Sequence, residues 1–260
     1  MKKLIIAFLL LVYLPSNAAA QTTNTTTSER QVAIVIDDLG NNMKGTEEIL
    51  SLQIPITVAV MPFLPTTKKD ARLAHKNGHE VILHLPMEPI SGKKSWLGPG
   101  AITTELSDKE IRKRVQDAID EVPYAVGMNN HMGSKVTADK RVMRIILEVC
   151  KERNLYYLDS KTTGKSVVEN LAKDLQVPYL ENELFFDEQY TIQHIIKQAN
   201  LLMSRIEQDN EIIAIGHVGI AGEKTASVLK QYVPLVEKKA DPVTLSELLI
   251  DLDTIPDFKE

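Results

Sequence analysis

Six side chains, spread over most of the chain, carry the chemistry this sequence offers. Asp37 and Asp38 close the apolar run "VAIVI", and His84 falls within "HEVILHL". His131 lies in "AVGMNNHMGS", Asp159 ends "LYYLD", and His217 ends "EIIAIGH". Carboxylate with imidazole is a hard-to-borderline ligand set, suited to Zn²⁺ or another divalent first-row ion with positions left open for water and substrate. Two adjacent aspartates then have separate uses. One is held ionised by the cation, and its neighbour accepts a proton from water that the cation acidifies.

Each residue alone has a plainer reading, since Asp caps helices and His sits satisfied in cores. The pattern is harder to dismiss, because His75, His79 and His194 lie in or beside helices while the other three His follow apolar runs or a Gly-rich turn. Consecutive residues of an extended strand face opposite ways, so Asp37 and Asp38 share a site only where the strand bends into its loop. Gly40 and the pair Asn41-Asn42 permit that bend.

These residues need elements that bring them to one rim. The runs at 32–36, 56–60, 79–85, 155–159, 177–180 and 211–217 read as buried parallel strands. Amphipathic stretches at 68–76, 108–120, 138–153, 166–175, 189–207 and 224–237 read as the helices between them. The alternation predicts an α/β domain, either a barrel or an open doubly wound sheet, with its site at the C-terminal strand ends. Residues 86–107 form a long stretch without a clear element, holding the single Trp96, and read as a functional surface loop.

The first residues, "MKKLIIAFLLLVYLPSNAAAQ", combine a basic start, a short apolar run and an A-x-A cut after Ala20. They predict an export signal over 1–20, a polar linker over 21–30, and one domain over 31–260 in an extracellular, periplasmic or cell-wall-associated protein with no stable membrane insertion. Without Lys2 and Lys3, 28 of the 30 basic residues face 35 acidic ones, a charge of −7 that disfavours nucleic acid as a partner. Cys150 is the only cysteine, so no disulfide forms within the chain, and its helical spacing with Val142, Ile145, Ile146 and Val149 predicts a buried thiol.

Taken in order, "VAIVIDDLGNN", "VILHLPMEP", "VGMNNHMGSKVT", "YLDSKTT" and "IAIGHVG" resemble the divergent polysaccharide deacetylase family, a distant branch of the NodB-type carbohydrate esterases. The resemblance runs from about Val32 to Leu249. It implies a distorted (β/α) barrel with fewer than eight regular units, a zinc-type cofactor, and removal of acetyl groups from a polysaccharide or peptidoglycan-like substrate. By motif, it implies Asp38 and His84 as metal ligands, Asp37 as general base and His217 as general acid. The ordinary second motif places a further His four positions after the first, but here Glu88 stands there. The expectation is that His131 supplies the missing imidazole, with Glu88 the alternative ligand. Asp159 either orients His217 or another imidazole or caps the following helix, Asn129 and Asn130 either bind sugar hydroxyls or shape a turn, and Trp96 either stacks on a sugar ring or anchors the long loop.

Two rival functions follow from the same residues. One is a non-catalytic envelope protein that keeps the fold and the metal and acts by binding glycan or a protein partner, for which the altered second motif argues. The other is a phosphodiester-cleaving metal enzyme, for which Lys135 and Lys161 lie near the motifs but no Gly-rich phosphate cradle is present.

Overall fold

Side-chain alternation along the strands sorts the apolar residues into two buried layers. In β1 (Gln31–Leu39), Val32, Ile34 and Ile36 pack among the helices, while Ala33 and Val35 join Ala59, Ile82, Leu158, Ile213 and Ile215 in a second cluster. Both faces are therefore dry, which is why the strand reads as a continuous apolar run. The computed structural model describes residues 30–251. The export signal expected at 1–20 and nearly all of the linker expected at 21–30 lie outside the described residues.

The remaining strands are β2 (Thr57–Val60), β3 (Glu80–Met87), β4 (Ala125–Met132), β5 (Tyr156–Asp159), β6 (Tyr179–Glu181), β7 (Leu184–Phe185), β8 (Glu211–His217) and β9 (Asp241–Val243). They pair in parallel in the order β6-β5-β4-β3-β2-β1-β8-β7, with β9 also beside β1. The end strands β6 and β7 are joined only by Asn182 and Glu183, so the sheet wraps round as an irregular barrel whose last seam carries no ladder among the described residues. Of the two architectures open to periodicity, the distorted barrel is the one formed.

The outer layer comprises α1 (Thr46–Leu50), α2 (Thr67–Lys76), α3 (Asp108–Glu121), α4 (Lys140–Glu152), α5 (Val168–Leu175), α6 (Ile192–Arg205) and α7 (Gly222–Val236). Their starts follow local chemistry. Ser107 and Glu110 form a capping box at α3, and the Asp139 and Thr191 side chains accept the Val142 and His194 amides at α4 and α6. Cys150 is fully buried on α4, as its spacing predicted.

A last helix, α8 (Leu245–Asp251), buries Leu245, Leu248 and Leu249 against the inner layer. It stops the barrel at the strands' N-terminal ends. There the Glu80 carboxylate accepts the Leu245 and Ser246 amides at 3.1 and 3.2 Å, together with the Thr57 and Tyr156 hydroxyls at 2.9 and 2.7 Å. With that mouth closed, the C-terminal ends are left for function. No helix of the described residues is long and apolar enough to cross a membrane.

The long loop is pinned rather than free. Ile102 bridges to Met87, its amide donating to Pro86 O at 2.8 Å while the Glu88 amide donates back to Ile102 O at 2.8 Å. The Glu88 carboxylate accepts the Thr104 amide and hydroxyl at 2.9 Å each and the Lys135 ammonium at 2.8 Å.

Candidate metal centre

Strand parity decides which polar side chains reach the barrel mouth. Asp37 follows Ala33 and Val35, His84 follows Ile82, and His217 follows Ile213 and Ile215, all on the inward face. On β4 the outward residue is Met128, which leaves Asn129 and His131 facing inward. Asp38 has the wrong parity and is brought in by a bulge. The β1–β2 register shifts between Ile36 and Leu39, and Asp38 takes a left-handed φ of 71° that a non-glycine residue adopts only when its surroundings hold it there.

The result is a tight cluster. Asp38 Oδ1 lies 3.0 Å from His131 Nδ1 and 3.3 Å from His84 Nε2, and these two nitrogens are 3.1 Å apart. Among the described residues, Asp38, His84 and His131 form the group whose metal-ligating atoms all lie within 4.8 Å of one another. Glu88 is not in it, because its carboxylate is engaged by Thr104 and Lys135 in the loop clamp.

Two observations test whether these residues fit a cation. Asp38 Oδ1 is buried and, despite its close neighbours, makes no hydrogen bond of acceptable geometry. His131 Nε2 is 2.9 Å from the Trp96 carbonyl, which only accepts, so that nitrogen carries the hydrogen and Nδ1 turns a lone pair toward the cluster. In a tetrahedral zinc site, ligand atoms about 2.1 Å from the ion stand about 3.4 Å apart, within a few tenths of an ångström of the separations here. The donor set fits a divalent ion of the zinc class.

Electrostatics separates the two aspartates. Burial pushes Asp38 up, but the imidazoles of His131 and His84 outweigh it and hold that carboxyl well below its ordinary value. Asp37 is driven the other way by burial, only partly offset by the charges of His84 and His217 and by the Asn129 hydrogen bond. For His84, burial lowers the pKa, yet the charges of Asp37 and Asp38 win and raise it. Asp37 Oδ2 is 3.8 Å from His84 Nε2, and Asp37 Oδ1 accepts from Asn129 Nδ2 at 2.9 Å. Asn129 Oδ1 lies 2.7 Å from His84 Nδ1.

His217 stands across from the cluster on β8, paired in register with Asp37. Its Nδ1 is 2.7 Å from Asp187 Oδ1, and Asp187 Oδ2 accepts the His217 amide at 2.8 Å and the Thr225 hydroxyl at 2.7 Å. Burial alone would lower this imidazole. The hydrogen bond and charge of Asp187, with the charges of Asp38 and Asp37, instead push it up to about 9. Asp187 was not anticipated from sequence, although "LFFD" has the form of "VAIVID", an apolar run closed by an acid.

Asp159, Asn130 and Asn129 are each engaged in hydrogen bonds within the protein, although Asn130 also lines the mouth cavity and Asn129 touches Asp37 and His84. Asp159 does not orient His217, the place taken by Asp187. It follows the inward Leu158, so its parity is outward, and its Oδ1 accepts the Lys161 amide at 2.8 Å in a local turn. Asn130 is buried and its amide is spent on protein. Its Nδ2 donates to Met132 O at 2.8 Å, and its Oδ1 accepts the Ser160 amide at 3.1 Å and the Tyr157 hydroxyl at 3.3 Å. Asn129 is wholly buried. The Trp96 ring is exposed at the rim with the Lys93 ammonium 5.4 Å from its centroid, while its backbone reaches His131.

The mouth holds a cavity of about 390 Å³ lined by Asp37, Asp38, His84, His131, Phe185 and His217. A neighbouring lobe of about 500 Å³ runs past Met43, Met61, Leu64, Trp96 and Ile220. Both are within the size of small-ligand sites.

Residues 34–249 match the sequence profile of a family described as divergent polysaccharide deacetylase. The chain is 36% identical over 230 residues to the uncharacterized protein YibQ of Escherichia coli K12, covering 87% of this chain and 70% of that protein. Among solved structures it superposes on uncharacterized protein ATU2773 of Agrobacterium tumefaciens with a TM-score of 0.77 at 19% identity, covering 86% of this chain and 90% of the other. It also superposes on the catalytic domain of a peptidoglycan N-acetylglucosamine deacetylase from Eubacterium rectale with a TM-score of 0.50 at 15% identity, covering 88% and 94%.

Proposed function

We propose, because the chain belongs to the divergent polysaccharide deacetylase family, that it is an exported metal-dependent hydrolase removing acetyl groups from a cell-envelope or extracellular polysaccharide. One observation carries this reading: three ligand atoms converge from Asp38, His84 and His131, with the Asp37 carboxylate beside them and His217 opposite. A protein that only held a cation would not need His217, which lies outside the ligand group and is bonded to Asp187 instead.

A divalent ion, zinc by the character of the donors, would be held by Asp38, His84 and His131 and would supply Lewis acidity toward the acetyl carbonyl and the attacking water. Asp37 takes the proton from that water. Its burial keeps its proton affinity above that of Asp38, which suits a base whose neighbour is a ligand. His217, protonated at neutral pH under the influence of Asp187, donates a proton to the departing sugar nitrogen or oxygen. The apolar walls of the adjoining lobe and the exposed Trp96 ring offer surfaces for a pyranose face.

Phosphate esters fit poorly. Lys135 is paired with Glu88 at 2.8 Å and Lys161 with Glu181 at 3.0 Å, so neither cation near the motifs is free for phosphate.

The test is acetate release from acetylated chitooligosaccharides, xylan and peptidoglycan fragments by the zinc-loaded protein. Release abolished by Asp37→Asn supports the hydrolase. Zinc bound, glycan bound and no release above the Asp37→Asn control would instead identify a binding protein that keeps the fold.

A further inference from the structure

We infer that Asn129 is the positioning residue that sets the tautomer of His84, presenting the His84 Nε2 lone pair to the cluster, and that Asp37 is what holds Asn129 to this task. The inference rests on the proposed metal centre for its purpose, but not for its geometry.

An amide has a donor end and an acceptor end, and which end faces which neighbour is settled by what the neighbours do. One end of the Asn129 amide is 2.9 Å from Asp37 Oδ1 and the other is 2.7 Å from His84 Nδ1. A carboxylate only accepts, so the NH₂ end must face Asp37. The carbonyl end then faces His84, and a carbonyl also only accepts, so His84 Nδ1 must carry the hydrogen. The neutral ring is left with its lone pair on Nε2, 3.3 Å from Asp38 Oδ1 and 3.1 Å from His131 Nδ1.

Turning the amide over would set its NH₂ against His84 Nδ1 and its carbonyl against Asp37. The His84 hydrogen would move to Nε2, where it blocks coordination, and the Asp37 contact would set two acceptors face to face. Among the described residues, Asn129 has no other side-chain hydrogen-bond partner that would steady the turned amide. It is wholly buried, and β4 places it in register with His84 on one side and Leu158 on the other. Both cluster imidazoles are thus oriented by amide carbonyls, His131 by the Trp96 backbone and His84 by a side chain. Partners of this kind are worth about 10- to 100-fold in metal affinity.

The arrangement also accounts for a neutral residue at so central a position. A carboxylate in place of the amide would orient His84 equally well but would set a second negative charge against Asp37. Leucine, of similar volume, would orient nothing.

The experiment reads the tautomer directly. Histidine ¹⁵N–¹H correlation spectra are recorded on metal-free protein, made alkaline until the His84 ring is neutral, and zinc affinity is measured separately by competition with a chelator. The expected result is His84 with its hydrogen on Nδ1 in the native sequence. Asn129→Leu should lose that preference and weaken zinc about 10- to 100-fold, whereas Asn129→Asp should keep the Nδ1 hydrogen and bind zinc within a few-fold of the native protein. A native His84 carrying its hydrogen on Nε2 would overturn the inference, and so would a folded Asn129→Leu with unchanged tautomer and affinity. Should Asn129→Leu fail to fold, the native spectrum and Asn129→Asp still decide. Because the tautomer is read without metal or substrate, a protein that releases no acetate leaves this result standing, so the two readings fail separately.

Discussion

His217 and Asp187 are joined twice, by an Nδ1···Oδ1 contact of 2.7 Å and by the His217 amide on the other carboxylate oxygen at 2.8 Å. The carboxylate therefore fixes both the ring and the backbone that carries it. Burial opposes the imidazolium, but Asp187, with Asp38 and Asp37 further off, raises it to about 9. A raised pKa keeps the acid protonated below that value, so activity should fall on the alkaline side as pH rises through about 9. Asp187→Asn should move this fall toward the ordinary histidine value of about 6.5. His217→Gln should lower kcat by about 10²- to 10⁴-fold. A kcat–pH profile of the three proteins checks both statements, and an alkaline limb that stays put in Asp187→Asn would contradict the first.

Asp38, His84 and His131 should behave differently from Glu88 toward metal. Alanine at any of the three removes one ligand of a three-residue set, and each variant should lose stoichiometric zinc in equilibrium dialysis followed by elemental analysis. Glu88→Gln should retain one zinc, because Glu88 clamps Thr104 and Lys135 instead. Its loss should appear as faster proteolysis within residues 89–103. Zinc must also displace the proton that Asp37 and Asp38 favour on His84. Binding near neutral pH should therefore release a proton, seen as a dependence of the calorimetric heat on the buffer's ionisation enthalpy.

Cys150 should be inert in the native protein. Burial pushes its thiol from 9.0 up to about 12, so thiolate is negligible at pH 8. A disulfide reagent should report no thiol until denaturant is added and one thereafter. Since the folded pKa is the higher, the thiol's contribution to stability is complete below about 9 and is lost as pH climbs toward about 12.

Much of the fold was legible because parallel strands buried on both faces leave continuous apolar runs, as at 32–36 and 211–217. The strand β4 was not, since "AVGMNNHM" carries a glycine and two asparagines that read as a turn. Asn129 and Asn130 stay in the sheet, each with its side-chain amide bonded at both the nitrogen and the oxygen end. The two-residue β7 is too short to announce itself, and Asp187 was missed with it. For the site, strand parity separates the residues that face the mouth from those that do not. Counting by twos from Ala33, Ile82 and Ile213 reaches Asp37, His84 and His217, while the same count from Leu158 passes over Asp159. Asp38 lay beyond that rule, because only a bulge with a left-handed residue brings it in.

The most direct measurement of the central claim is anomalous scattering at the zinc edge from crystals grown with zinc. A single peak about 2.0 to 2.2 Å from Asp38 Oδ1, His84 Nε2 and His131 Nδ1, with Asp37 outside the coordination sphere, is the expected result. A peak ligated by Glu88 in place of His131, or no peak at this cluster while zinc binds elsewhere on the chain, would contradict it.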